Sequence, residues 1–173
     1  DPLQGLSALQ QCVLQPCFSG TFREDPLRIL RGFRLAAQLR FTLAPEALPL
    51  MQQAAEGLAR VSGERVRDEI LAMGATDGAA GAWRGLNDVG ALDVLLPELS
   101  AGRGLDQGPF HHLDVLSHQL EAVAQADRFL VDFAEFQEPL REPLRAYCAQ
   151  SLVERRPRKS LIKLAALIHD VGK

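Results

Sequence analysis

Apolar residues recur at helical spacing along most of this chain. In residues 24–39, for example, Leu27, Leu30 and Phe33 would lie on one face of a helix, where they can pack on a core. The same periodicity predicts helices at about 24–39, 45–56, 62–74, 77–89, 111–130, 138–150 and 159–170. Residues 11–15 predict a possible short strand. We therefore expect an all-α, multi-helix fold, apart from that strand near the N-terminus.

The polar face of the first long helix has a distinctive composition. Positions three apart are neighbours on a helix surface, so this face carries four charged residues: Asp25, Arg28, Arg31 and Arg34. A carboxylate only accepts hydrogen bonds, and a guanidinium only donates them. Cytosine and adenine each present an exocyclic amine beside a ring nitrogen, so an Asp/Arg pair fits them and leaves unpaired groups against uracil and guanine. Asp25 and Arg28 are therefore candidates to read a base, and the later arginines can reach a triphosphate.

A second interpretation of the same residues is purely structural. Asp25 as an N-cap, Pro26 at the first helical position and acidic residues in the first turn are typical of any well-started helix. Taken alone, the segment is compatible with both a nucleotide site and an ordinary helix start.

Longer stretches of the chain resemble a known family. EDPLRILRGFRLAAQL, at 24–39, resembles motif D of class II tRNA nucleotidyltransferases (CCA-adding enzymes) and of bacterial poly(A) polymerases. LARVSGERVRDEI, at 58–70, looks like the next motif of that family. Similar segments follow in the family's order at 84–99, 111–123 and 158–173, and the opening DPLQGLSAL resembles the end of its catalytic domain. The resemblance thus covers nearly the whole chain.

The resemblance implies roles for the motif D residues. Asp25 and Arg28 would hydrogen-bond the incoming base, and Arg31 and Arg34 would help to hold the nucleotide. The residues of the following motif would brace the junction below the nucleotide, which is a structural role: Arg60, Glu64, Arg65 and Glu69.

At two places the chain departs from the family pattern, which limits how far the family's local structure applies to it. In the opening segment, Gln4 replaces a glycine and Ala8 replaces an aspartate. Arg40 stands where the family usually has a glycine at the end of the motif D helix. A non-glycine residue there is strained if the backbone must be left-handed.

The resemblance also divides the chain into three parts. Residues 1–22 would be the C-terminal remnant of the nucleotidyltransferase head, residues 23–100 the helical neck that recognises the base, and residues 105–173 the N-terminal part of an HD-like body. The glycine-rich segment at 100–109 is the best linker candidate.

In the head domain of this family, a glycine-rich turn is followed by paired aspartates, whose carboxylates hold Mg²⁺. Neither the turn nor the aspartate pair occurs in these 173 residues. We therefore expect no catalytic residue in this chain, and Mg²⁺ bound by a head domain upstream of it. The intact enzyme would transfer CMP and AMP, or AMP alone, to the 3′ end of tRNA or another RNA, with ATP and CTP, or ATP alone, as substrates. The motifs leave open which of the C-adding, A-adding, full CCA-adding and poly(A) activities it has.

The C-terminal LAALIHDVGK resembles the HD-domain signature. His169 and Asp170, with His118 upstream, would be three of the four usual ligands of a divalent transition metal, and the fourth, a later Asp, would lie beyond Lys173. Family members of the polymerase type keep this scaffold without using a metal. An HD-type, metal-dependent phosphohydrolase is therefore an alternative function.

A basic loop is the candidate RNA contact. Four cations fall within five positions around Pro157: Arg155, Arg156, Arg158 and Lys159. Such a loop binds phosphates without reading sequence, or is simply solvated. It also supports a third function, a non-catalytic helical module that binds RNA.

Composition adds limits to these predictions. A net charge of −3 gives no global signal for nucleic-acid binding, so any RNA contact must come from local patches. No apolar run is long enough to span a membrane, so we expect no membrane partner. Three cysteines without metal-site spacing favour a reducing, cytoplasmic location. Nothing in the sequence indicates an oligomeric state.

Overall fold

The computed structural model describes residues 1–105, 112–153 and 156–172. These residues are mainly helical, with two small two-stranded sheets, so the all-α prediction is confirmed. No helix in the described part of the chain is both long and apolar enough to cross a membrane.

The N-terminal half consists of short elements around one long helix. Its elements are α1 (Gly5–Gln10), β1 (Val13–Leu14), α2 (Thr21–Glu24), α3 (Arg28–Leu39), β2 (Thr42–Leu43), α4 (Ala47–Ala54), a 3₁₀ helix (Ala55–Arg60) and α5 (Gly63–Gly74). The predicted strand is present as β1, and it pairs in parallel with β2, which the sequence did not predict.

The C-terminal half contains the longest helix. Its elements are α6 (Ala79–Asp88), α7 (Ala91–Leu95), α8 (Pro97–Ser100), α9 (Val115–Asp132), α10 (Glu138–Ala149), β3 (Ser151–Val153), β4 (Arg156–Pro157) and α11 (Arg158–Ile168). Strands β3 and β4 pair antiparallel. The predicted helices over this half correspond to α6, α9, α10 and α11, with shifts of a few residues at their ends.

The start of the motif D helix differs from the prediction. The chain forms a short α2, breaks at residues 25–27, and resumes as α3 at Arg28. Asp25 is extended, with φ −139° and ψ 95°. The ring of Pro26 disfavours the helical conformation for the residue before it, which explains the break. Asp25 therefore precedes the helix that carries the arginines and is not its N-cap, a position that Leu27 holds.

The end of α3 shows the strain that the family departure predicted. Arg40 is left-handed, with φ 57° and ψ 39°, and its N–H donates to the Ala36 carbonyl. A left-handed backbone costs about 1–2 kcal/mol for a residue with a Cβ. The helix thus ends at the expected position despite the missing glycine.

One hydrophobic core joins the predicted neck to the predicted body. Trp83 and Leu86 of α6 are fully buried in it, and the same cluster contains Leu116 and Val123 of α9 and Leu167 of α11. Helix α6 packs on α9, and α5 packs on α11, so the core continues from the predicted neck into the predicted body. The division at residues 100–105 stays a prediction about domains.

A buried ion pair lies within this junction. Lys163 of α11 is 1% exposed, and its Nζ is 2.6 Å from Asp127 Oδ1 of α9. The same Nζ donates to the Thr76 carbonyl between α5 and α6. Asp127 Oδ2 accepts from the N–H of Ala80 at the start of α6, at 2.8 Å. Two charges and two backbone groups thus join four parts of the fold.

Candidate functional site

Asp25 lies between α2 and α3 with its carboxylate held by two donors. Its Oδ1 accepts from the Leu27 N–H at 3.3 Å. Its Oδ2 accepts from Nη2 of Arg65, on α5, at 2.8 Å. The side chain of Asp25 is 25% exposed, so the carboxylate is accessible while its orientation is constrained.

The charge of Asp25 depends on these contacts. Burial would raise the pKa of the carboxyl, but the hydrogen bond and charge of Arg65, the Leu27 N–H and the charge of Arg28 together lower the pKa below 3.8, its ordinary value. Asp25 is therefore an acceptor at neutral pH, as a reader of amine groups must be.

In the described part of the chain, Asp25 and Arg28 border different pockets, although the charge of Arg28 still acts on the Asp25 carboxyl. Asp25 borders a pocket of about 380 Å³ that Arg60 and Arg65 also line. Arg28 borders a different, smaller pocket, and its Nη1 donates to the Thr21 carbonyl at 3.1 Å. The guanidinium directly on the Asp25 carboxylate belongs to Arg65. The base-reading role of Asp25 with Arg28 stays a prediction.

Arg31 and Arg34 meet at one buried carboxylate. Nε of Arg31 donates to Glu69 Oε1 at 3.1 Å, and Nε of Arg34 donates to Glu69 Oε2 at 2.6 Å. The side chain of Glu69 is only 10% exposed. Arg34 is largely buried and also bonds Gln38, whereas Arg31 is about half exposed. A contact with a nucleotide is therefore easier for Arg31 than for Arg34, and both assignments stay predictions.

Residues of the motif that follows motif D thus form hydrogen bonds with residues of motif D. Arg65 contacts Asp25, and Glu69 contacts two arginines of α3. Arg60 and Glu64 are exposed, and Arg60 lines the pocket beside Asp25. The bracing role that the resemblance implied for the motif stays a prediction, in which Arg65 and Glu69 would act through these contacts.

The HD-like residues also lie together. Nε2 of His118 and Nε2 of His169 are 3.8 and 3.5 Å from Asp170 Oδ2, and the three ligand atoms lie within 4.8 Å of one another. Nδ1 of His169 is 2.8 Å from the Ala166 carbonyl. A carbonyl only accepts, so in the neutral ring Nδ1 carries the proton and Nε2 keeps its lone pair. This donor set fits a divalent metal such as Mn, Fe or Ni.

Comparison with known proteins places this geometry in a family. Residues 40–102 match a family model described as "Probable RNA and SrmB- binding site of polymerase A". The A-adding tRNA nucleotidyltransferase of Deinococcus radiodurans is 37% identical over 100% of this chain, and the CC-adding enzyme of Geobacter sulfurreducens is 33% identical over 99% of it. The multifunctional CCA protein of Hahella chejuensis is 36% identical over 100% of the chain.

The chain belongs to the tRNA nucleotidyltransferase family. It spans 35–37% of the length of those three relatives. Two solved structures have the same fold: a tRNA-processing enzyme with CTP (TM-score 0.65) and a tRNA nucleotidyltransferase with a primer tRNA and an incoming ATP analogue (TM-score 0.62). Each is 22% identical, with 98% of this chain covered and 39% and 42% of the solved chains.

The predicted basic loop is partly neutralised within the protein, and its described residues lie in regular elements, with Arg156 in β4 and Arg158 and Lys159 at the start of α11. Arg155 lies outside the described residues. Arg156 pairs with Asp68 at 2.8 Å, and Lys159 pairs with Asp77 at 3.0 Å. The guanidinium of Arg158 lies 4.0 Å from the centre of the Tyr147 ring. These contacts leave less free positive charge than the sequence suggested, and the RNA-binding role of the loop stays a prediction.

One residue that shapes the pocket beside Asp25 carries no signal in the sequence. Gly57, in the 3₁₀ helix, lines the pocket beside Asp25. A Cβ at Gly57 would lie 2.6 Å from Cγ of Pro26, so a larger residue would push the two segments apart. No periodicity or motif letter marks this glycine, because the need for it arises from a contact between separate elements.

Proposed function

We propose that the protein containing this chain adds CMP and AMP, or AMP alone, to the 3′ end of tRNA, and that this segment selects the incoming nucleotide. The observation that carries the proposal is the Asp25 carboxylate, which is ionised, partly exposed and fixed by Arg65 and Leu27 beside a pocket. An acceptor in that position suits the exocyclic amines of cytosine and adenine.

The comparisons support the substrates of this proposal. The relatives are A-adding, CC-adding and multifunctional CCA enzymes, and the structural neighbours were solved with tRNA, an ATP analogue or CTP. Mg²⁺ would be held outside this chain, by carboxylates of a head domain, where it would neutralise charge on the triphosphate. Within this chain, Arg28 and Arg31 would supply cationic contacts to the nucleotide.

RNA contact is part of the same proposal. The family model described as an RNA-binding site covers residues 40–102, which contain Arg60 and Arg65 at the pocket. We place the main RNA contact on this region, with the basic residues at positions 155–159 as a secondary phosphate contact.

An extension assay tests the function directly. The full protein is incubated with Mg²⁺, tRNAs that end before, within or after CC, and one nucleoside triphosphate at a time. We expect incorporation of AMP, with or without CMP, and none of UMP or GMP. Absence of transfer to any tRNA end, or equal use of all four nucleotides, would contradict the proposal.

A second candidate function rests on the cluster of His118, His169 and Asp170. With a divalent metal bound, these residues would form part of a phosphohydrolase centre, where the metal would activate water. Its support is the convergence of three ligand atoms within 4.8 Å and the tautomer that Ala166 imposes on His169.

Calorimetric titration with Mn²⁺ or Ni²⁺ tests this second function. We expect the protein to bind the metal, and His169→Ala to weaken binding by at least about tenfold, since even changes next to metal ligands have effects of that size. Affinity should rise with pH, because histidine binds metal only when neutral. His112→Ala, at an exposed histidine, is the control. Equal affinity for metal in the His169 variant would exclude the centre.

A further inference from the structure

Arg65 stands out as the residue that connects the two motifs. It lies on α5, 40 residues after Asp25 in sequence, and its Nη2 donates to Asp25 Oδ2 at 2.8 Å. The other carboxylate oxygen accepts from the Leu27 N–H. Asp25 therefore has one donor from its own segment and one from a different helix.

Asp25 needs such support because of its backbone. It lies in the break between α2 and α3, in an extended conformation, so helical geometry does not fix the direction of its side chain. The Leu27 N–H, at 3.3 Å, is a long contact and engages only Oδ1. The shorter, charge-assisted bond from Arg65 fixes the plane of the carboxylate.

The exposure of the two partners fits a site that receives a ligand. Both line the pocket of about 380 Å³, where Asp25 is 25% exposed and Arg65 is 51% exposed. Each carboxylate oxygen has a second lone pair beyond the bonds described, so Asp25 can accept from an amine while Arg65 still holds it. Arg65 can therefore hold the Asp25 carboxylate through one lone pair while another lone pair of Asp25 accepts from the base.

Neighbouring charges do not perform this task. Arg28 donates to the Thr21 carbonyl and lies 3.7 Å from Glu24. Arg67, on the same helix as Arg65, pairs with Asp68 at the surface. In the described part of the chain, Arg65 is the only side chain with a hydrogen bond to Asp25.

We propose that Arg65 is a positioning residue that determines nucleotide specificity: it holds the Asp25 carboxylate in the orientation that accepts from the exocyclic amine of cytosine or adenine. This role rests on the proposed function of the protein, and it goes beyond bracing of the fold. It predicts that loss of Arg65 changes which nucleotide is used more than how fast any nucleotide is used.

The test compares three variants of the full protein: Arg65→Ala, Arg65→Lys and the control Arg67→Ala. The ratio of kcat/KM for ATP over GTP is measured, together with CTP over UTP where CMP is added. We expect Arg65→Ala to lower this ratio at least about tenfold, the effect of losing an interaction worth 1.4 kcal/mol. Arg65→Lys should recover part of the ratio, because an ammonium still donates to Asp25. Arg67→Ala should leave it unchanged.

The pH dependence gives a second readout that a merely structural role would not change. Without Arg65, the hydrogen bond and charge that lower the pKa of Asp25 are lost while its burial remains, so this pKa should rise. The acid limb of the selectivity profile should move to higher pH in Arg65→Ala. Carbon-13 NMR titration of the Asp25 carboxyl gives the same pKa in variants with low activity.

The outcomes separate the two proposals. A wild-type protein that discriminates, together with an Arg65→Ala variant that keeps both the nucleotide ratio and the Asp25 pKa, would refute the role of Arg65 and leave the proposed function standing. A uniform fall in kcat for all nucleotides, with the ratio intact, would likewise reduce Arg65 to a structural brace. A wild-type protein without transfer activity would overturn the proposed function and this role with it.

Discussion

Changing Asp25 to serine should reduce the preference for cytosine and adenine nucleotides over uracil and guanine nucleotides by about 10²-fold or more, since unpaired groups in a site built to hydrogen-bond its substrate cost that much. Serine can still accept from the Leu27 N–H but has no carboxylate for Arg65 or for an amine. Stability should fall by only about 1 kcal/mol, the size of a helix-cap effect. The measurements are kcat/KM for the four nucleotides and the melting temperature.

Asp68→Ser is the matched control for this change. Asp68 is an exposed carboxylate on α5 that also pairs with arginines, Arg67 and Arg156, but it lies outside the pocket. Its loss should leave nucleotide preference intact. If Asp25→Ser also keeps the normal preference, then Asp25 only supports the turn between α2 and α3 and the base-reading assignment is wrong.

The lowered pKa of Asp25 sets the direction of the pH effect. A group whose pKa is lower in the folded protein contributes stability that is present above its unfolded pKa and is lost as pH falls through the folded value. Asp25 should therefore stay ionised on mild acidification from neutral pH, and selectivity should persist down to about pH 5. Loss of selectivity on acidification to pH 5 would indicate a different titrating group.

Replacing Lys163 with methionine should have the largest effect on stability, a loss of about 3–5 kcal/mol in the free energy of unfolding. The change leaves Asp127 as a buried charge without its cation and the Thr76 carbonyl without its donor. Urea unfolding of the chain, followed by circular dichroism, measures the loss. A decrease below about 1 kcal/mol would mean that the pair is as weak as an exposed one.

Two further variants separate burial from charge. Lys159→Met, one turn earlier on α11, removes a cation whose partner Asp77 is 55% exposed, so the loss should stay within about 1 kcal/mol. Adding Asp127→Asn to Lys163→Met removes the unpaired charge but keeps an acceptor for the Ala80 N–H. This double variant should recover part of the stability, because the cost of the single change comes mainly from the stranded carboxylate.

The Lys163 pair also links the predicted body to the predicted neck. It connects α9 and α11 to the turn between α5 and α6, and α5 carries Arg65. Neither residue of the pair lines the pocket beside Asp25, so its loss should lower stability without a direct effect on that pocket.

The sequence by itself predicted the longer helices and the candidate residues, but not the short helices α1, α2, α7 and α8. Helix formation depends on side chains three and four positions apart, so periodicity alone located α3, α5, α6, α9, α10 and α11 to within a few residues. Sequence motifs in the order typical of the family indicated that family, and the comparisons confirm it. They also pointed to Asp25, and to the three HD-like residues that the structure brings together.

Only the tertiary structure decided which residues are partners. Arg65 meets Asp25 across 40 positions, and Glu69 meets Arg31 across 38, because α5 packs on α3 through the common core. Asp25 and Arg28, only three positions apart, border two different pockets. Local patterns specify which face of a helix is polar, whereas the neighbour of each charge depends on how the apolar faces dock.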